Sequence, residues 1–149
     1  MAGRPRALII VARFYPEFSD NLLAGAVAWL DAAKVAYETL EVPGVLEIPP
    51  ALSMALTTAR RADRGFDMFI MLGCVIRGET SHYDVVAGES NRAIMDLAVE
   101  RRLALGNGIL TVENAEQARV RSRIDGRDKG GAAAAAAIAL FELRALIAQ

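Results

Sequence analysis

Four short apolar runs, each followed by a stretch of helical periodicity, constrain this chain more than any other feature. Leu8-Ile-Ile-Val-Ala12 has the length and branching of a buried strand. Ser19 then offers an N-cap to a helix with Leu22, Leu23, Ala26, Val27 and Leu30 on one face. A more polar strand is expected over 37–42 and a turn at Pro43-Gly44. The next helix has Pro49-Pro50 in its first turn and runs to about residue 64. The third strand is 68–75, and a helix follows over about 84–103. Leu105-Gly-Asn-Gly108 is expected to break that helix, with 109–112 as the fourth strand. Glu113-Asn114 caps a helix to about 123. The glycines at 126, 130 and 131 separate it from a last helix over 132–147.

Strands separated by helix-length connections pair in parallel, because a parallel crossover needs an intervening element of that size. The expected fold is an α/β three-layer α/β/α sandwich, flavodoxin-like, on a four-stranded parallel sheet. No linker or repeat divides the chain, so residues 1–149 read as one domain, long enough to close a core. The alanine run 132–137 merges into Leu140, Phe141, Leu143 and Leu146 at helical spacing. It therefore reads as packed helix rather than low complexity.

Composition narrows the partners. A hydrophobic fraction of 54% is high for a monomer of this size, so some apolar surface is expected to be covered by other subunits. Seventeen basic residues against eighteen acidic leave a net charge of −1 with no long basic run, and no nucleic-acid partner is expected. One cysteine excludes an internal disulfide and a Cys-rich metal motif, which favours a reducing compartment. The apolar run 7–12 is too short for a signal peptide or a membrane span, so the expected location is cytoplasmic, without a membrane partner.

Several catalytic signatures are absent. No Gly-x-Gly-x-x-Gly follows the first strand, and no Walker lysine or Gly-x-Ser-x-Gly elbow occurs. The first strand ends in Ala12-Arg13-Phe14, without the carboxylates that a magnesium-dependent phosphoacceptor needs. Chemistry gathers instead at the expected carboxyl ends of the strands, where such folds bind ligands. Phe14 is either a loop anchor or a surface for a planar ligand. Glu47 is either a first-turn glutamate favoured by the helix dipole or an acceptor for sugar hydroxyls. The loop Arg77-Gly-Glu-Thr-Ser81 precedes a helix and can bind phosphate through backbone amides and hydroxyls. It leads into His82, the only histidine, whose imidazole can accept and donate protons near neutral pH. Cys74 reads as a small wall residue. Among the late basic residues Arg121, Arg123, Arg127 and Lys129, an arginine brought to the Gly78–Thr80 loop would complete a phosphate clamp.

Five blocks, in order along nearly the whole chain, resemble the lumazine synthase family. They are Arg13-Phe14, Val42-Pro-Gly-Val-Leu-Glu-Ile-Pro49, Gly73-Cys-Val-Ile-Arg-Gly-Glu-Thr-Ser-His-Tyr-Asp84, Asn107-Gly-Ile-Leu-Thr-Val-Glu-Asn-Ala-Glu-Gln-Ala118 and Asp128-Lys-Gly130. The resemblance implies condensation of 5-amino-6-(D-ribitylamino)uracil with 3,4-dihydroxy-2-butanone 4-phosphate to 6,7-dimethyl-8-ribityllumazine in riboflavin biosynthesis. Phosphate and water leave, and no cofactor or metal takes part. Carried over by motif, His82 shuttles protons and Phe14 stacks on the pyrimidine. Val45, Leu46 and Glu47 hold the ribityl chain, while Cys74, Val75 and Ile76 line the ring pocket. Glu79 and Thr80 cradle the phosphate with Arg121 as cationic partner, and Lys129 lies near. Asn107 takes a position where many relatives carry an aromatic wall lent by a neighbouring subunit.

The same resemblance implies a homo-oligomer with active sites at subunit interfaces and a riboflavin synthase partner. The short segment before the first strand and the Ile124-Asp-Gly-Arg-Asp128 link point to a homopentamer rather than a sixty-subunit shell. A flavin- or lumazine-binding carrier on the same fold is the alternative, and Asn107 is the residue that would argue for it.

Overall fold

The computed structural model describes residues 3–59 and 65–149. Its elements run β1 (Arg6–Ala12), α1 (Pro16–Ala32), β2 (Ala36–Val42), a 3-10 turn (Val45–Glu47) and α2 (Ile48–Ala59). These are followed by β3 (Met68–Ile76), α3 (His82–Glu100), β4 (Leu105–Val112), α4 (Ala115–Ser122) and α5 (Lys129–Ile147). The strands form one sheet in the order β2-β1-β3-β4, and every neighbouring pair is parallel. The three-layer expectation holds. The expected extension of α2 over 60–64 lies outside the described residues.

Period-two alternation sorts the two central strands between two cores. Ala7, Ile9 and Val11 of β1 share one buried cluster with Met68, Ile70, Leu72 and Cys74 of β3, packed by α1, α4 and α5. Leu8, Ile10 and Ala12 join Phe69, Met71 and Val75 in the other, packed by α2 and α3. Register makes this consistent, since Ile9 pairs with Ile70 and Ile10 with Met71. Both faces are covered, which explains why these strands read as unbroken apolar runs. The edge strand β2 differs. Residues 37–41 are all exposed, which matches its more polar sequence.

Four local expectations need correction. Ser19 is not an N-cap, because α1 begins at Pro16, whose missing amide hydrogen suits the first helical position. The Ser19 hydroxyl is instead buried, 2.6 Å from the carbonyl of Ala12, and ties the helix to the end of β1. The helix α3 begins at His82, two residues before the expected start, and ends at Glu100, after which Arg102 takes a left-handed φ of 54°.

Leu105-Gly-Asn-Gly108 is the first half of β4 rather than a breaker. The glycines are there for close packing: a Cβ on Gly106 would lie 1.8 Å from the carbonyl oxygen of Ala133 in α5. For the same reason Gly130 and Gly131 belong to the first turn of α5 instead of preceding it, and a Cβ on Gly130 would lie 2.0 Å from the carbonyl oxygen of Leu22 in α1. Asp128 caps that turn, its carboxylate accepting from the Gly131 amide at 3.1 Å.

Helix α5 is long and apolar enough by composition to cross a membrane. Its first half, however, is buried in the domain through Gly130, Gly131, Ala133, Ala134 and Ala137. Its second half leaves Leu140, Leu143, Leu146 and Ile147 exposed.

A Gly106→Ala substitution should lower the unfolding free energy by about 3 kcal/mol or more, the upper end of overpacking costs, because the obstacle is backbone rather than a movable side chain. A urea titration against the unmodified protein measures it.

Candidate active site

The carboxyl ends of β1, β2 and β3 and the start of α3 enclose a cavity of about 470 Å³. That is within the range of small-molecule sites. Its walls bring together nine of the expected residues: Phe14, Val45, Leu46, Glu47, Cys74, Val75, Ile76, Thr80 and His82. Each arrives by a local cause.

Arg13 holds the loop after β1. Its amide donates to the carbonyl of Val42 at 3.0 Å, and its guanidinium pairs with Asp20 at 2.7 Å and lies 3.8 Å from Glu41. The loop therefore presents Phe14 outward, 70% exposed and edge-on to Tyr15 at 4.9 Å between centroids. An exposed aromatic ring on an anchored loop is a surface for a flat ligand.

On the opposite wall, Gly73 lets the 3-10 turn approach β3, since a Cβ there would lie 2.8 Å from Cγ2 of Val45. Val45 is thereby buried, and Leu46 and Glu47 remain exposed at the cavity. The Glu47 amide donates to the carbonyl of Gly44 at 3.1 Å, closing the turn.

The floor is the last three residues of β3, Cys74, Val75 and Ile76. Burial pushes the Cys74 thiol up to about 12, so the side chain stays neutral at any physiological pH. That fits a wall and not a nucleophile. Burial also raises the phenol of Tyr15, with the nearby Cys74 as a second cause, keeping this side of the cavity uncharged.

His82 is the first residue of α3, exposed, with its amide hydrogen-bonded to Thr80 Oγ1 at 3.3 Å. Gly78 and Thr80 line the cavity beside it, while Glu79 is on the same exposed loop without forming part of the wall.

The remaining expected residues are elsewhere in the chain. Asn107, Arg121 and Lys129 line a second cavity of about 370 Å³ between β4, α4 and α5. Arg121 is half-buried and donates only to the carbonyl of Gln117 at 3.3 Å, with no carboxylate partner among the described residues. Arg119 and Arg123 nearby are neutralised by Glu17 and Asp125. The Asn107 amide donates to Asn91 Oδ1 at 2.8 Å and its own Oδ1 accepts from the Ile109 amide at 2.9 Å, so the side chain is held against α3.

Tyr15, Tyr83 and Val86 also line the first cavity, although sequence alone does not single them out as site residues. Adjacency to Phe14 and His82 was the available signal for the two tyrosines.

A family model described as 6,7-dimethyl-8-ribityllumazine synthase matches residues 4–145. Three curated proteins bearing that description illustrate the similarity. The protein from Afipia carboxidovorans is 51% identical over 144 residues, covering 97% of this chain and 88% of the relative. The one from Agrobacterium fabrum is 52% identical over 142 residues, covering 95% and 96%. The Rhizobium meliloti protein, numbered 1, is 56% identical over 137 residues, covering 92% and 90%.

The neutral, buried Cys74 should resist alkylation. At pH 8 iodoacetamide should modify the folded protein at least tenfold more slowly than the same protein in denaturant, read by mass spectrometry, since the thiolate is the reacting form.

Proposed function

This chain belongs to the 6,7-dimethyl-8-ribityllumazine synthase family, and from that premise we infer how its two cavities serve the reaction. The protein condenses 5-amino-6-(D-ribitylamino)uracil with 3,4-dihydroxy-2-butanone 4-phosphate to 6,7-dimethyl-8-ribityllumazine, in riboflavin biosynthesis. The amine adds to the ketone, an imine forms with loss of water, phosphate is eliminated, and the ribitylamino nitrogen adds to the remaining carbonyl, closing the second ring with loss of a second water. No step requires a strong nucleophile from the protein, so acceleration comes from holding two substrates together and moving protons.

The observation that carries the assignment of roles is the 470 Å³ cavity, with an exposed aromatic on one wall and the only histidine on another. Phe14 stacks on the pyrimidine, and the apolar floor of Cys74, Val75 and Ile76 accepts the rings. Val45, Leu46 and the Glu47 carboxylate receive the ribityl hydroxyls. Thr80 and the backbone at Gly78 and Glu79 hold the phosphate at the start of α3, where helix amides favour an anion. His82, the first residue of that helix, takes the proton from the attacking amine and returns it to departing groups.

The phosphate still needs a cation, and Arg121 lines the other cavity. We infer that a neighbouring subunit supplies Arg121, Lys129 and Asn107 to each first cavity, so that the site is complete only in the oligomer. Exposed apolar side chains support such an assembly: Val85, Met95 and Val99 on α3, and Leu140, Leu143, Leu146 and Ile147 on α5. The closed ring that fits the family is a homopentamer. The free thiol of Cys74 agrees with a cytoplasmic location, and the enzyme that consumes the product, riboflavin synthase, is the expected partner.

Formation of lumazine fluorescence from the two substrates tests this reading. His82→Ala should lower kcat by about 100-fold or more, the scale of a positioned general acid-base. Arg121→Ala should raise KM for the phosphate substrate roughly ten- to a hundredfold, corresponding to about 1.5–3 kcal/mol for a charge-assisted contact. Co-assembly of the two variants should recover part of the activity, and no recovery would sink the shared site. Light scattering should give about 80 kDa for five chains of 16.0 kDa each.

A further inference from the structure

Helix α3 enters the site with few side-chain contacts on its first turn. Ser81 is its N-cap residue but makes no side-chain capping bond, and the residues at 81, 82, 84 and 85 are all exposed. Tyr83 is partly buried against the core, and full apolar burial begins at Val86. The Thr80 hydroxyl reaches the His82 amide at 3.3 Å, a long bond. An imidazole on such a turn would sample many positions relative to the cavity.

Arg77 supplies the missing constraint. Its amide donates to the carbonyl of Val112 at 2.9 Å, fixing its backbone at the end of β4. Its Nε donates to both carboxylate oxygens of Glu113, at 3.0 and 3.2 Å. With the guanidinium plane set by that contact, Nη1 lies 3.6 Å from the Asp84 carboxylate, and the guanidinium carbon stands 4.2 Å from the centroid of the Tyr83 ring. Tyr83 and Asp84 are the two residues after His82, and Tyr83 itself lines the cavity. One planar group thus joins the exit of β4 to the first turn of α3. Separately, such exposed ion pairs are worth little. Together they depend on planarity, a fork of donors and a stackable face, which arginine has and lysine lacks.

We propose that Arg77 is a positioning residue that sets the aim of His82. It rests on the proton-transfer role given to His82 above. Arg77 touches no substrate in this assignment, so its loss acts on the chemical step and not on phosphate binding.

Steady-state kinetics on the assembled enzyme distinguish the two. Arg77→Lys and Arg77→Ala should each lower kcat about tenfold, with KM for the phosphate substrate within about twofold of the parent and the melting midpoint shifted by only a few degrees. In a His82→Ala background, Arg77→Lys should add nothing further, because residues acting through one another are not additive. A raised KM restored by lysine would make Arg77 a phosphate ligand and overturn the proposal, as would equal slowing in both backgrounds. If His82→Ala alone leaves the rate unchanged, the proton-transfer role itself falls and the proposal with it, a result separable from the other two.

Discussion

The close approach of α5 to β4 and α1 is the constraint on which the rest of the molecule depends. Gly106 and Gly130 place no side-chain atom at these contacts, and Ala133 places only a methyl. Where α5 meets Gly106, helix and sheet are therefore in backbone contact, and close packing there takes the place of the large side chains that fill the rest of the core. The position of α5 in turn fixes Lys129 at its first residue, and the link before it sets α4, which carries Arg121. The charged groups of the second cavity are thus aimed by a contact between uncharged, minimal residues.

The opposite face works by different means. There Leu8, Ile10, Met71 and Ile48 fill the space between sheet and helices, and the exception, Gly73, is where the 3-10 turn must come close. The residues of the first cavity are mostly terminal residues of buried strands or the first residues beyond them. Burial up to Val75 gives these positions a rigid base, and the abrupt change to exposed residues from Arg77 onward leaves the polar groups free to meet a ligand. The change from buried strand to exposed loop takes two residues.

Much of this was legible in the chain. Uninterrupted apolar runs identified the central strands because both faces of the sheet are covered, and Asn114 was recognisable as a cap because its side chain does accept the Gln117 amide. The nine residues that meet in the first cavity were accessible because strand ends and the loops after them are contiguous in sequence. The failures share a cause. Glycine carries two meanings, turn and close contact, and only tertiary packing distinguishes them at Gly106, Gly130 and Gly131. Ser19 carries two as well, cap and buried donor, and the proline three residues earlier decided between them. The separation of Arg121 from His82 was not readable, since nothing local indicates which neighbours a helix on the far side of the sheet will face. The role of Tyr83 was hidden for a related reason: its significance comes from a guanidinium six residues earlier that also reaches a carboxylate just beyond β4.

The exposed strand β2 has a consequence for how copies of this chain can meet. An open strand edge is a template onto which any extended segment can dock, the usual route to uncontrolled fibrous association. Glu38 and Glu41 sit on opposite faces of β2, paired at its inner side with Arg6 and Arg13. An incoming strand would have to desolvate a carboxylate whichever way its own side chains alternate. The charges act as gatekeepers, making sheet extension the costlier route and leaving the uncovered apolar flanks of the helices as the cheaper one.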